Sequence, residues 1–133
     1  MRELTTTEIG RFGEDEAAKH LRKNGFRILE RNFRASHNEI DIIAENKDTL
    51  VFVEVKTRTP AKDGTYFGTP AEAVTYSKQK RTIAAARAYL YKSGGDKQIR
   101  FDVIEVYLER SPRFSAKPLV VKSLEHVVDA FGA

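Results

Sequence analysis

With 133 residues, 41% of them hydrophobic, the chain has material for one modest core, and a single domain over 1–133 is expected. Charged residues make up 32% and interleave with apolar ones, and no apolar run approaches the roughly 18 residues of a spanning helix; with no secretory stretch after Met1, a cytoplasmic protein without a membrane partner is expected. The formal charge of +4 is mild evidence for a polyanionic partner, and the lack of cysteine excludes disulfides, thiolate metal sites and cysteine nucleophiles.

Thr5 to Thr7 can cap a helix running to about Asn24, with Gly25 placed where a left-handed C-terminal residue is wanted. Phe26 to Phe33 reads as a strand and Ala35 to Asn38 as a turn. Glu39 to Glu45 and Leu50 to Thr57 read as two more strands around a polar turn at 46–49, giving an antiparallel meander. A loop with Pro60, Gly64, Gly68 and Pro70 leads into a second helix, opened by Thr69-Pro70-Ala71-Glu72 and running to about Lys92. Ile99 to Leu108 is a strong strand, and a shorter one, Leu119 to Lys122, precedes a terminal helical turn or two. Residues 71–100 hold seven basic residues against two acidic ones, an excess that suits a solvated helix face or a phosphate-binding stripe.

The hairpin of the second and third strands carries the chemistry. If residues 46–49 form a four-residue loop, Glu45 faces Leu50, and the same register sets Ala44 against Val51, Ile42 against Val53 and Ile40 against Val55 on one apolar face. The other face pairs Ile43 with Phe52, Asp41 with Glu54 and Glu39 with Lys56. Opposed side chains have Cβ atoms about 5 Å apart, so Asp41 and Glu54 can converge on one small cation and would repel without it. Lys56, two residues beyond Glu54, could activate the attacking water or stabilise charge developing on a phosphate. The same pattern also suits a solvated strand end in which Glu39 and Lys56 form an ion pair.

On the first helix, Glu14 shares a stripe with Ala18 and Leu21 that should face the sheet, where a carboxylate needs a cation or hydrogen-bond donors. A third acid reaching the metal would meet that need, and so would a nearby Arg or Lys. Gly10 and Gly13 are poor helix formers whose use would be explained by close approach of the helix to the sheet.

Gly10-Arg11-Phe12-Gly13-Glu14, Gly25 to Asn32, Glu39-Ile40-Asp41-Ile42-Ile43, Val51 to Arg58 and Arg100-Phe101-Asp102-Val103, in this order, resemble the bacterial YraN family over most of the chain. That family is placed in the PD-(D/E)XK nuclease superfamily. The resemblance implies an α/β fold with a mixed sheet and a restriction endonuclease-like core: helix, antiparallel β-meander, helix, further strands. It puts Asp41, Glu54 and Lys56 on the catalytic positions, with Glu14 as an assisting acid. Metal would be held by Asp41, Glu54 and Glu14, as Mg2+ or Mn2+, with Glu39 in support. His37-Asn38 stands where the family commonly has a glycine before Glu39, and Ile40 where the superfamily name implies proline.

In such folds the second helix contributes a polar residue near the site, which makes Lys78, Gln79 and Arg81 candidate nucleic-acid contacts, together with Arg58. Ala84, Ala85, Ala86 and Ala88 suggest tight packing that leaves the basic positions on the outer edge. Tyr66 and Phe67 could stack on bases from a flap or cover a core edge. Asp102 could face the site or solvent, and surface roles are expected for His20, His37 and His126. The expected activity is metal-dependent hydrolysis of phosphodiesters in DNA, more than RNA, with a homodimer possible. The other reading is a nucleic-acid-binding module that acts only with a partner.

Overall fold

The computed structural model describes residues 4–61, 63, 65–66, 74–111 and 118–132. In chain order these form α1 (Thr6–Lys23), β1 (Arg27–Ala35), β2 (Asn38–Glu45), β3 (Thr49–Arg58), α2 (Tyr76–Ser93), β4 (Gln98–Arg110) and β5 (Leu119–Phe131). The five strands make one mixed sheet in the order β1-β2-β3-β4-β5, antiparallel throughout except for the parallel β3 and β4. Because parallel neighbours need a crossover, the chain leaves β3, runs through α2 and returns as β4. Helix, meander, helix and further strands therefore follow one another as the sequence predicts.

Helix α1 starts at a reciprocal cap: Thr5 Oγ1 accepts from the Glu8 N–H at 3.1 Å, and Glu8 Oε1 accepts from the Thr5 N–H at 3.0 Å. It ends at Asn24, followed by Gly25 at φ +87°, a conformation that costs glycine little. The buried stripe Ala17, Ala18 and Leu21 packs on Ile42, Ala44, Val51, Val53, Ile104, Val106 and Leu108. On the opposite face Ala85 and Ala86 of α2 pack on Ile40, Ile43, Leu50, Phe52 and Phe101. Each helix thus covers one side of the sheet, and the two apolar layers share the strands between them.

Two expectations need correction. The stretch after Lys122 continues as a strand to Phe131 and forms no terminal helix. Helix α2 opens at Tyr76, capped by the Thr75 side chain, which accepts from the Lys78 N–H at 3.1 Å; the predicted opening at Thr69 to Glu72 lies outside the described residues. The left-handed position of the β1–β2 turn is taken by Ser36 at φ +59°, while Asn38 pairs with Ala35 as the first residue of β2. Among the described residues no helix is long and apolar enough to cross a membrane.

Candidate functional site

The β2–β3 hairpin adopts the predicted register from Glu45↔Leu50 to Ile42↔Val53, and Asn46 closes its loop by accepting from the Asp48 and Thr49 N–H groups at 3.0 and 2.8 Å. The pairing then stops. Predicted partners Asp41 and Glu54, Ile40 and Val55, and Glu39 and Lys56 lie beyond the ladder, because the strands separate and the Val55 N–H donates to Asp41 Oδ2 at 2.8 Å. The hairpin face is not continuous either. Ile40 sits with Ile43 and Phe52 under α2, while Ile42 and Ala44 lie under α1. β2 rotates between Ile40 and Ile42, and the facing Asn32 of β1 has φ +53°. Asp41 occupies this rotation point, where its side chain takes over a backbone donor.

Glu54 is 3% exposed, on the α2 side of β3, and its Oε2 is buried without a hydrogen-bond partner. Its Oε1 lies 3.2 Å from Lys78 Nζ and 3.9 Å from Lys56 Nζ. Burial, and then the neighbouring Asp41 carboxylate, push the Glu54 carboxyl up to about 7 against the pull of the two lysines. Burial likewise raises Asp41, although the Val55 N–H and Lys78 oppose it. A pair of desolvated, mutually repelling carboxylates with an orphan oxygen is a chemical fit for one hard divalent cation, since Mg2+ is commonly held by one or two protein carboxylates and completes its shell with water or phosphate.

Glu14 does not complete a three-acid cage: among the described residues no group of three or more His, Asp or Glu side chains is arranged to hold a metal. Its Oε1 stands 3.9 Å from the Arg31 guanidinium and accepts from the Asn32 amide at 3.2 Å, once that amide is oriented with nitrogen toward the acids. Burial, then Asp41, raise its carboxyl, so it lies within the electrostatic reach of the pair. Glu39 is held by Arg34 at 3.6 Å and by the same Asn32 amide at 3.2 Å. The expected Glu39–Lys56 ion pair is therefore replaced, and Lys56 turns toward Glu54.

Lys78 is not an outer-edge phosphate contact as it stands, since it turns inward onto Glu54. Gln79 Nε2 donates to the Val74 carbonyl at 3.2 Å, which ties down the start of α2. Arg58 is engaged by Glu105, Nε to Oε2 at 3.2 Å. Arg81 remains exposed. Glu105 was not among the predicted site residues. It is fully buried beside Lys56 on the adjacent strand, accepts from the Tyr107 hydroxyl at 2.9 Å, and keeps Oε1 without a partner. Its alternation with Ile104 and Val106 was the available signal. Tyr66 covers a core edge, donating to the Leu108 carbonyl and packing edge-on to Tyr107; Phe67 lies outside the described residues.

Gly13 fits the expected close approach: a Cβ there would lie 1.8 Å from Thr57 Oγ1, so α1 rests directly on β3 at the residue before Glu14. Gly10 meets nothing within 4 Å and is not explained that way. On the α1 side, Asp102 is fully buried, facing neither the site nor solvent. It accepts two bonds from Arg100, each 2.8 Å, one from the Asp129 N–H at 3.0 Å, and pairs with His126 Nε2 at 2.7 Å. His126 Nδ1 in turn meets His20 Nε2 at 3.0 Å, so these two histidines form a chain from α1 to the sheet and are not simple surface residues.

Residues 13–106 match the model of an uncharacterised protein family, UPF0102. A UPF0102 protein of Chlorobium chlorochromatii is 46% identical over 129 residues, covering 96% of this chain and 93% of its own. Another, from Caldanaerobacter subterraneus subsp. tengcongensis, is 40% identical over 132 residues, covering 98% and 100%. Among solved structures, Pyrococcus furiosus SfsA in complex with Ca2+ matches with a TM-score of 0.43 and 14% identity, over 89% of this chain and 61% of that one.

Proposed function

This chain belongs to the uncharacterised protein family UPF0102, the YraN family its motifs resemble, and from that premise we propose that it is a divalent-metal-dependent nuclease that hydrolyses phosphodiester bonds in DNA. The observation that carries the reading is the opening of β2 from β3 at Asp41, beside a buried Glu54 whose Oε2 has no partner. Asp41 and Glu54 would hold the cation, Mg2+ or Mn2+. When bound, it supplies Lewis-acid charge to the phosphoryl oxygens and makes water more acidic.

The chain's own residues do the rest. Asp41 is oriented by the Val55 N–H, which leaves Oδ1 for the cation. Glu54 offers Oε2. Lys56 stands at the mouth of the pair, where its ammonium can stabilise charge building on a phosphate or orient the attacking water. Glu14 and Glu39, bridged by Asn32, add negative potential on the α1 side. The test is cleavage of single-stranded, duplex, flapped and four-way-branched DNA by purified protein with Mg2+ or Mn2+. Activity lost in Asp41→Asn and Lys56→Ala supports the reading; equal cutting by the variants, or none by the parent, overturns it.

A second reading has its own observation. Lys78 pairs with Glu54 across 3.2 Å, as a binding module with a disabled site would require. Retained DNA binding with no cleavage under any metal condition would select it.

A further inference from the structure

The basic residues of α2 divide into two faces. The helix carries five Lys or Arg and no acid over Tyr76–Ser93. At about 100° per residue, Lys78 points roughly opposite to Tyr76, which agrees with its contact to Glu54 and with burial of Thr82, Ala85 and Ala86 on the inner face. Tyr76, Lys80, Arg87 and Tyr91 fall within about 60° of one another on the outer face and extend over roughly 22 Å of helix. Both tyrosines are unusually open, Tyr76 at 72% and Tyr91 at 93% exposure. Lys80 Nζ lies 4.8 Å from the centre of the Tyr76 ring, so cation and ring already stand side by side.

A solvated helix face explains the charges but not two almost bare aromatic rings in the same stripe. The core does not use them, and each offers a flat face open to a partner beside a cation. The charge of one sign selects a polyanion, and the rings spaced along it select one whose flat groups are free to stack. We propose that the outer face of α2 is a track for single-stranded nucleic acid, with bases on Tyr76 and Tyr91 and phosphates on Lys80 and Arg87. Duplex DNA would meet only the charges, because its bases are already stacked on each other. The track deepens the nucleic-acid reading given above without depending on catalysis: it would lead a strand along α2, whose inner face carries Lys78 into the site.

The chain has no tryptophan and five tyrosines, of which Tyr66, Tyr89 and Tyr107 pack against other rings. Emission comes from all five, so the share of any quenching that belongs to Tyr76 and Tyr91 is read as the difference between the parent and the two tyrosine variants. The experiment titrates the full chain, in EDTA so that nothing is cut, with a labelled thymidine oligomer and with a duplex of equal length, reading anisotropy and emission. Expected are quenching by the single strand and weaker binding of the duplex. Tyr76→Ala and Tyr91→Ala should each weaken single-strand binding by about 10-fold with little change for duplex. Lys80→Gln or Arg87→Gln should lower the salt slope by about 0.7 per charge.

Single-strand binding that survives both tyrosine changes overturns the track, even if the protein cuts DNA. Tyrosine-dependent binding with no cleavage under any metal condition leaves the track standing and removes the nuclease reading. Absence of oligomer binding, with quenching by vesicles of anionic phospholipid instead, overturns the track in favour of a membrane surface.

Discussion

Lys78 Nζ lies 3.2 Å from Glu54 Oε1, nearer than the 3.9 Å of Lys56, the lysine two residues along the same strand. The ammonium from α2 thus supplies much of the positive charge that a cation would otherwise bring to the acid pair. Removing it should leave Glu54 facing Asp41 with the more distant Lys56 as its compensation. Lys78→Met is expected to cost about 1–2 kcal/mol of stability at pH 8 and almost nothing at pH 5, where Glu54 takes up a proton instead. Urea unfolding at the two pH values measures this, and an equal loss at both would show that Lys78 serves packing and not charge.

Glu54 itself sets a pH dependence of definite sign. Its carboxyl is pushed from 4.5 to about 7 in the fold, so between those values the folded chain holds the extra proton. Stability from this group is fully present below about 4.5, falls as pH rises through 7 and levels above it, a total of roughly 3 kcal/mol at ~1.4 kcal/mol per unit. Glu54→Gln should therefore raise the melting temperature at pH 8 and leave it unchanged at pH 4.5. Mg2+ should stabilise the parent at pH 8 far more than at pH 5.5, and the variant at neither. A parent whose melting point ignores Mg2+ at pH 8 would remove the cation from the site.

The hairpin was legible because loop length and alternation agree on one register, and the agreement holds as far as Ile42↔Val53. The separation beyond it was not, since it depends on a side chain, Asp41, replacing a backbone acceptor. β5 departs from the predicted helical end for a different reason. Leu124, Val127, Val128 and Phe131 recur at i, i+3, i+4 and i+7, a helical period. In the sheet the same residues are fitted by a bulge: Val103 pairs with Val127 but Phe101 with Phe131, so β5 carries two extra residues there, with Asp129 at φ +55°. The alanine run assigns the basic positions of α2 to its outer edge, and nothing local marks Lys78 as the partner of a residue 24 positions earlier.

The contact between Gly13 and Thr57 makes a sharp packing test. A methyl at Gly13 would stand 1.8 Å from Thr57 Oγ1, so Gly13→Ala must push α1 off β3. Alanine gains helix propensity of about 1 kcal/mol over glycine, but the clash should exceed it, for a net loss of about 1–3 kcal/mol. Thr57→Gly in the same chain should recover part of that loss. Thermal unfolding of the two single variants and the double variant gives the coupling, and strictly additive losses would mean that the helix adjusts without Thr57.

The chain from His20 through His126 to Asp102 predicts a second pH effect, opposite in sign to that of Glu54. Burial, then the neighbouring His126, hold His20 below its ordinary 6.5, so the unfolded chain takes up its proton first as pH falls. Stability from this group is present above 6.5 and is lost as pH drops below it, because two protonated rings cannot share the 3.0 Å contact. His20→Gln should flatten the acid limb below pH 6.5. Asp102 anchors the chain: burial pushes its carboxyl up, but His126, Arg100 and the Asp129 N–H together outweigh it and hold the group below the usual range. Asp102→Asn should cost about 3 kcal/mol at neutral pH by leaving Arg100 without its buried counter-charge. If His20→Gln keeps the full acid loss while Asp102→Asn destabilises as stated, the network holds the sheet together but His20 is not the group that titrates.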